Sequence, residues 1–128
     1  MYLMALCKLL VVEDDTVLRD LYLRKFDRNV YDVRTAINGQ EALELIAKEK
    51  PDLLILDINM PVMDGFGVLE KLPKADRSFP VIILSNFDDQ ANRERGKSYE
   101  IDDYFVKKDM SIKALLDMVE RLTKKPSV

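Results

Sequence analysis

DLLILDINMPVMDG, residues 52–65, is the stretch that decides the fold of this chain. It begins as an unbroken apolar run, which follows Pro51, and the run ends at an acid, Asp57. A proline and an Asp-Gly pair come soon after it. A short apolar run between turn residues is typical of a β-strand that is buried on both faces. Because ligands bind at the carboxyl edge of open α/β sheets, Asp57 is placed for chemistry.

Four further strands are predicted, and helical patterns separate them. Residues 9–12 and 81–84 are apolar throughout, and residues 104–106 form a shorter apolar run. Residues 31–35 alternate between apolar and polar side chains, which predicts a half-exposed strand at a sheet edge. The helical pattern at 88–97 offers little aliphatic surface, so we expect that helix to be loosely held. Five alternations of strand and helix predict a doubly wound α/β fold, with one parallel sheet and helices on both faces.

The composition bounds the function. The chain has 128 residues, a length typical of one domain, and its formal net charge of −3 argues against direct nucleic-acid binding. The absence of histidine excludes Ser-His-Asp and Cys-His catalysis and histidine-ligated metals. Cys7 is the one cysteine, so we expect no disulfide framework, and a reducing cytoplasm fits best. The apolar residues 1–6 are too short to span a membrane and lack the features of a signal peptide.

Functional side chains follow four of the predicted strands. Glu13 and Asp14 follow the first strand, Asp57 ends the third, Ser85 follows the fourth and Lys107 follows the fifth. Since the carboxyl ends of parallel strands share one edge, these groups should meet there. Carboxylates that meet repel each other, and a divalent cation with oxygen ligands, Mg²⁺ or Mn²⁺, would offset the repulsion. The lysine and the hydroxyl would complete a cradle for a phosphoryl group, which the third-strand carboxylate would attack in line.

Four motifs carry a resemblance to a known family. They are VVEDD at 11–15, LDINMPVMDG at 56–65, ILS at 83–85 and DYFVK at 103–107. In this order and at these spacings, the chain resembles the receiver domain of two-component response regulators over about residues 8–123. The resemblance implies the chemotaxis-regulator-like fold, whose five-stranded parallel sheet has the flavodoxin-like order 2-1-3-4-5. Residues 1–7 are then interpreted as an N-terminal extension, and residues 124–128 as a C-terminal tail.

The resemblance also implies a role for each candidate residue. Asp57 matches the phosphoacceptor, and Lys107 matches the lysine that binds the phosphate. The resemblance implies that Mg²⁺ is bound by Asp14, by Asp57, by the backbone carbonyl of Asn59 and, through water, by Glu13. Ser85 matches the switch hydroxyl, and Tyr104 matches the aromatic residue whose ring swings inward on activation. The phosphodonor of the family is a sensor histidine kinase or a phosphotransfer protein. The output surface of the family usually involves the fourth helix, the fifth strand and the fifth helix, and we expect a downstream protein to bind there. We expect the domain itself to be a monomer or a weak dimer. The implied function is a phosphorylation-controlled switch, which catalyses only its own phosphorylation and dephosphorylation.

The chain departs from the family pattern at three places. Lys108 stands where a proline with a cis bond usually follows the lysine. A cis non-proline bond costs about 3 kcal/mol, so we predict a trans bond and a rearranged loop behind Lys107. Glu100 and Ile101 replace the usual Gly-Ala pair, so we expect the turn there to avoid the left-handed conformation that glycine tolerates. Asn86 replaces a small residue after the switch hydroxyl, which predicts restricted access to the phosphoryl group.

Other functions compete with this interpretation. A phosphatase-like enzyme that works through an aspartyl phosphate carries a second Asp two residues after the nucleophile, where this chain has Asn59. A flavodoxin-like cofactor binder carries a Ser/Thr/Gly-rich loop after the first strand, where the acids of this chain would repel the phosphate. A receiver that signals without phosphate is disfavoured by the complete set of acids. At single residues, Ser85 could serve only as the cap of the fourth helix, and Tyr104 could be ordinary packing.

Overall fold

The computed structural model describes residues 6–60, 63–109 and 111–123 of the chain. In chain order its elements are β1 (Cys7–Val12), α1 (Thr16–Lys25), β2 (Tyr31–Ala36), α2 (Gly39–Lys48), β3 (Leu53–Asp57), α3 (Gly65–Glu70), a 3₁₀ turn (Lys74–Asp76), β4 (Val81–Ser85), α4 (Gln90–Ser98), β5 (Asp103–Val106) and α5 (Ile112–Thr123). Most of the expected N-terminal extension and all of the expected C-terminal tail lie outside the described residues. The assignment of Cys7 to the extension is wrong, because Cys7 is buried and begins β1.

The five strands form one parallel sheet in the order β2-β1-β3-β4-β5. This arrangement confirms the predicted fold class and strand order. β3 lies at the centre of the sheet, and all of its residues are buried, as its unbroken apolar run predicts. β2 lies at an edge, where its partly exposed residues contact solvent, so its predicted position is confirmed too.

Two clusters of buried apolar side chains form the core, one on each face of the sheet. Along β3, Leu54 and Leu56 belong to one cluster, and Leu53 and Ile55 belong to the other, because successive side chains of a strand point to opposite faces. Side chains of α2 and α3 complete the first cluster, and side chains of α1 and α5 complete the second. Among the helices of the described residues, none has the length and apolar character that a membrane crossing requires.

Backbone pairing brings the carboxyl ends of neighbouring strands level. Asp57 pairs in register with Leu84, and Ser85 pairs with Val106. The N–H of Lys107 extends this ladder by donating to the Ser85 carbonyl at 2.8 Å. The carboxylate, hydroxyl and ammonium groups that the sequence places at this edge therefore start from adjacent backbone positions.

Short polar side chains cap the helices, because the first N–H groups of a helix have no partner within it. The carboxylate of Asp15 accepts the N–H of Leu18 at 3.1 Å and caps α1. Asp89 caps α4 by accepting the N–H of Asn92 at 2.7 Å. The alternative in which Ser85 serves only as the cap of the fourth helix is therefore wrong, since Asp89 occupies that position and Ser85 still belongs to β4.

Two arginines of α4 stack on rings of neighbouring elements. The guanidinium of Arg93 lies 4.5 Å from the centroid of the Tyr104 ring, and that of Arg95 lies 4.2 Å from the centroid of the Phe66 ring. Cation–π contacts of this kind are worth about 0.5–2 kcal/mol each. The buried residue of α4 is Gly96, so the helix contributes little apolar surface to the core. Its loose attachment stays a prediction.

The turn after α4 contradicts one expectation. Glu100 has a φ of 57°, so the prediction that this turn avoids the left-handed conformation is wrong. Its N–H closes the helix end by donating to the Lys97 carbonyl at 2.9 Å. The buried guanidinium of Arg77 donates to the carbonyls of Tyr99 and Glu100 at 3.0 and 2.9 Å, and to that of Leu72 at 3.0 Å. These contacts hold both peptide groups of the turn and offset the strain of a residue other than glycine.

Replacing Glu100 by glycine should stabilise the domain. The left-handed conformation costs an L-residue about 1–2 kcal/mol, and the larger entropy that glycine loses on folding cancels part of the gain. We expect Glu100→Gly to raise the free energy of unfolding in urea by about 0.5–1 kcal/mol. Glu100→Gln, which removes the charge and keeps the Cβ, is the control and should stay within about 0.5 kcal/mol of wild type. A glycine variant that is less stable than the glutamine variant would contradict this account of the turn.

Candidate functional site

Asp57 ends the central strand, and it is 1% exposed. Both of its carboxylate oxygens have partners, because Oδ2 lies 2.9 Å from Lys107 Nζ and Oδ1 accepts the N–H of Asn59 at 2.8 Å. Gly65 packs directly behind this position, where an added Cβ would lie 2.7 Å from the Asp57 carbonyl oxygen. The Asp-Gly pair at the start of α3 therefore lets that helix approach the end of β3 closely.

Glu13 and Asp14 bring two further carboxylates to Asp57. One carboxylate oxygen from each of the three residues lies within 4.8 Å of the others. Glu13 is 0% exposed, its Oε1 lies 2.7 Å from Lys107 Nζ, and its Oε2 accepts the N–H of Asp15 at 3.2 Å. Asp14 is exposed. The cluster therefore has an interior side at Glu13 and a solvent side at Asp14.

Lys107 places its ammonium group between two buried carboxylates. Nζ lies 2.7 Å from Glu13 Oε1 and 2.9 Å from Asp57 Oδ2. No peptide bond among the described residues is cis, which confirms the predicted trans bond between Lys107 and Lys108. The lysine reaches the site because its backbone N–H is bonded to the Ser85 carbonyl, at the end of the β4–β5 ladder.

Burial and the neighbouring charged groups shift the pKa values of Glu13 and Lys107. The pKa of Glu13 is raised to about 8, and burial is the largest cause. The hydrogen bond with Asp57 raises this pKa further, whereas Lys107 lowers it. Burial on its own would lower the pKa of Lys107, but the bonds to Glu13 and Asp57 outweigh it, and the pKa is raised. The ammonium therefore stays charged at neutral pH, while the buried glutamate favours a bound proton.

The donor set of this cluster fits a hard divalent cation. All of the clustered groups are carboxylates, and Mg²⁺ and Mn²⁺ prefer oxygen ligands together with water. The exposure of Asp14 leaves a solvent side for such waters. A cation would also take over the neutralisation that a proton on Glu13 otherwise provides. The ligand roles predicted for Asp14, Asp57, the backbone carbonyl of Asn59 and, through water, Glu13 stay predictions.

Ser85 lies fully buried at the end of β4, and its hydroxyl is bonded within its own loop. Oγ donates to the Phe87 carbonyl at 3.0 Å and accepts the Phe87 N–H at 3.1 Å. It also lies 3.4 Å from Asn59 Oδ1, which accepts the N–H of Asn86 at 2.8 Å. The loop after β4 is thus tied to the loop after β3. Asn86 is exposed, and its effect on access to the site stays a prediction.

Tyr104 is buried, and its hydroxyl donates to the Phe87 carbonyl at 3.0 Å. That carbonyl therefore accepts bonds from two hydroxyls, those of Ser85 and Tyr104. The movement of the Tyr104 ring on activation stays a prediction. The sequence did not reveal the part played by Phe87, because it acts through backbone atoms that carry no side-chain signal.

A family comparison agrees with this geometry. Residues 9–120 match the model of the response regulator receiver domain. The chain belongs to this family of two-component signalling domains, which confirms the resemblance carried by the four sequence motifs.

Comparison with individual proteins also places response regulators among the proteins to which this chain is similar. A probable transcriptional regulator, ycf27 of Guillardia theta, is 41% identical over 100 residues, which cover 78% of this chain and 39% of that protein. The receiver domain of Francisella response regulator 1452 is 38% identical with a TM-score of 0.83, and the match covers 91% of this chain and 96% of that one. TrrA of Thermotoga maritima, solved in complex with Mg(2+)-BeF, is 31% identical with a TM-score of 0.77, covering 90% and 97%. This chain spans less than half the length of ycf27.

Mg²⁺ affinity should rise with pH. Metal binding needs an ionised carboxylate, and the metal-free site holds the pKa of Glu13 near 8, so below that pH the cation must displace a proton. We expect affinity, measured from amide NMR shifts during Mg²⁺ titration, to increase from pH 6.5 to 8.5. In Glu13→Gln, which carries no proton to displace, the same titrations should show a much flatter pH dependence. An affinity that falls with pH in the wild type would contradict the raised pKa.

Proposed function

We propose that Asp57 accepts a phosphoryl group from a histidine kinase or a phosphotransfer protein in a Mg²⁺-dependent reaction, and that the domain thereby switches its binding to a protein partner. The observation that carries this proposal is the buried Asp57 carboxylate, which clusters with the carboxylates of Glu13 and Asp14 and lies 2.9 Å from Lys107 Nζ. The complex of the similar protein TrrA with Mg(2+)-BeF supports it.

The reaction transfers one phosphoryl group between two side chains. An oxygen of Asp57 attacks phosphorus, the N–P bond of the donor phosphohistidine breaks, and a neutral imidazole leaves after its ring has been protonated. In dephosphorylation, a water oxygen attacks phosphorus and the O–P bond to Asp57 breaks. Inorganic phosphate, the free carboxylate and a proton are the products. The domain thus catalyses only its own phosphorylation and dephosphorylation.

Each neighbour of Asp57 has a task in this proposal. Lys107 turns its ammonium to the phosphoryl oxygens, where it neutralises charge that develops during transfer. Asp14, Asp57 and the backbone carbonyl of Asn59 would hold Mg²⁺ directly, and Glu13 would act through water. Mg²⁺ supplies further positive charge on the same oxygens when it is bound. Mn²⁺ satisfies the same oxygen ligands.

The switch connects the phosphorylated site to α4 and β5. Ser85 rotates its hydroxyl from the Phe87 carbonyl to a phosphoryl oxygen, which leaves that carbonyl to Tyr104 alone. Tyr104 contacts Arg93 of α4 through its ring, and the two residues line a cleft of about 270 Å³ between α4 and β5. We place the binding site for the downstream protein on the face formed by α4, β5 and α5. A location in the cytoplasm, the absence of direct nucleic-acid binding and a monomeric or weakly dimeric state stay predictions.

The competing enzyme function lacks its acid. In this chain Asn59 stands two residues after the nucleophile, and its side-chain oxygen accepts the Asn86 N–H. A side-chain amide carries N–H donors but is far too weak an acid to protonate a leaving alcohol at neutral pH. Turnover of a phosphorylated small molecule is therefore disfavoured, and the remaining alternative is a receiver that signals without phosphate.

Intact-mass measurement tests the proposed acceptor. Incubation of the wild type with Mg²⁺ and acetyl phosphate should add one phosphoryl group, and chelation of the metal should prevent it. Asp57→Asn should give at least tenfold less adduct, because an amide is a poor nucleophile. Asp20→Asn removes an exposed acid of α1 and should be phosphorylated like the wild type. A full adduct on Asp57→Asn would refute the acceptor, and no adduct on a wild type that binds Mg²⁺ would favour the phosphate-independent receiver.

A further inference from the structure

Arg19 contacts the backbone of both acids that follow β1. It lies in α1, and its Nη1 donates to the Glu13 carbonyl at 3.0 Å and to the Asp14 carbonyl at 3.4 Å. The backbone N–H of Arg19 donates to the Asp15 carbonyl at 2.9 Å, which fixes the base of the side chain. One guanidinium nitrogen therefore spans two successive peptide groups of the turn between β1 and α1.

This turn sets the direction of the acidic side chains. The N–H of Glu13 is still bonded across the sheet, to the Ala36 carbonyl at 3.0 Å, whereas Asp15 already caps α1. Between these two anchors the chain must change direction within two residues and still bring the carboxylates of Glu13 and Asp14 within 4.8 Å of Asp57. The carbonyls that Arg19 holds belong to the same peptide planes that determine where these two side chains point.

We infer that Arg19 is a positioning residue for the acidic pair. By holding the two carbonyls, it keeps the Glu13 and Asp14 carboxylates directed at Asp57 and so prepares the site for a divalent cation. The inference rests on the proposed function, since it assigns the acidic cluster to Mg²⁺. Groups that orient metal ligands typically change metal affinity by about 10–100-fold when they are removed.

The sign of the effect separates positioning from charge. Arg19 is a cation close to the acids, so its charge alone repels Mg²⁺, and removing that charge should tighten Mg²⁺ binding. Loss of positioning does the opposite and weakens binding. If the side chain merely attached α1 to the end of β1, its removal would lower the midpoint of thermal unfolding and leave the Mg²⁺ affinity of the folded protein unchanged.

Mg²⁺ titration of three variants, followed by amide NMR shifts, tests the inference. Arg19→Met removes both the charge and the donors, and we expect Mg²⁺ affinity to fall about tenfold. Arg19→Lys keeps the charge and can still donate to a carbonyl, so it should recover part of that loss. Arg24→Met is the matched control, since it removes an exposed positive charge from the last turn of the same helix and should leave Mg²⁺ affinity within about twofold of wild type. Thermal unfolding of each variant verifies that it is folded at the titration temperature.

Tighter or unchanged Mg²⁺ binding by Arg19→Met would overturn the inference, and so would an equal loss in Arg24→Met. If Arg19→Met does not fold, Arg19→Lys decides the question. A lysine variant with the Mg²⁺ affinity of the wild type and with the wild-type NMR shifts at Asp14 would show that the contact of the guanidinium with the two carbonyls is dispensable. Failure of the wild type to bind Mg²⁺ would refute the metal site of the proposed function itself. Equal Mg²⁺ binding by the wild type and Arg19→Met would instead overturn only the role of Arg19.

Discussion

The ammonium group of Lys107 between Glu13 and Asp57 is the interaction on which the rest of the site depends. Two buried carboxylates with a third nearby repel one another, and the lysine at 2.7 and 2.9 Å offsets that repulsion in the metal-free state. Removing one member of a buried ion pair typically costs about 3–5 kcal/mol. The lysine does not outweigh burial, which together with the hydrogen bond to Asp57 raises the pKa of Glu13 to about 8. The three clustered carboxylates are a donor set that fits an additional cation.

The sheet supplies the precision that this charge arrangement needs. β3 is buried on both faces, β1 and β4 pair on either side of it, and β5 is aligned by the backbone bond between Lys107 and Ser85. Side chains that start from paired backbone positions need little adjustment to meet. Beyond the acids, the Phe87 carbonyl accepts bonds from Ser85 and Tyr104, and the Tyr104 ring contacts Arg93. A continuous set of contacts therefore links the acidic cluster to α4, which has few apolar anchors of its own.

Much of this could be predicted from the sequence, because the decisive features are local. The apolar run before Asp57, the alternation of strands and helices, and acids directly after strands are all visible along the chain. The errors concern contacts between distant residues or backbone atoms. Glu100 adopts a left-handed conformation that Arg77, more than twenty positions earlier, stabilises through carbonyl groups. The contribution of Phe87 is likewise made by backbone atoms, which leave no trace in residue type.

In the proposed function, Asp57, the acidic pair and Lys107 form one site for a phosphoryl group and a divalent cation. A crystal structure with Mg²⁺ and beryllium fluoride is the decisive experiment for this site. We expect beryllium fluoride on an Asp57 oxygen and Mg²⁺ at about 2.0–2.1 Å from oxygens of Asp14, Asp57 and the Asn59 carbonyl. The fluorine atoms should accept hydrogen bonds from Lys107 Nζ and Ser85 Oγ. The proposed site would be contradicted if beryllium fluoride were absent from Asp57 under saturating conditions, or if the Lys107 ammonium stayed between Glu13 and Asp57 without contacting the beryllium fluoride.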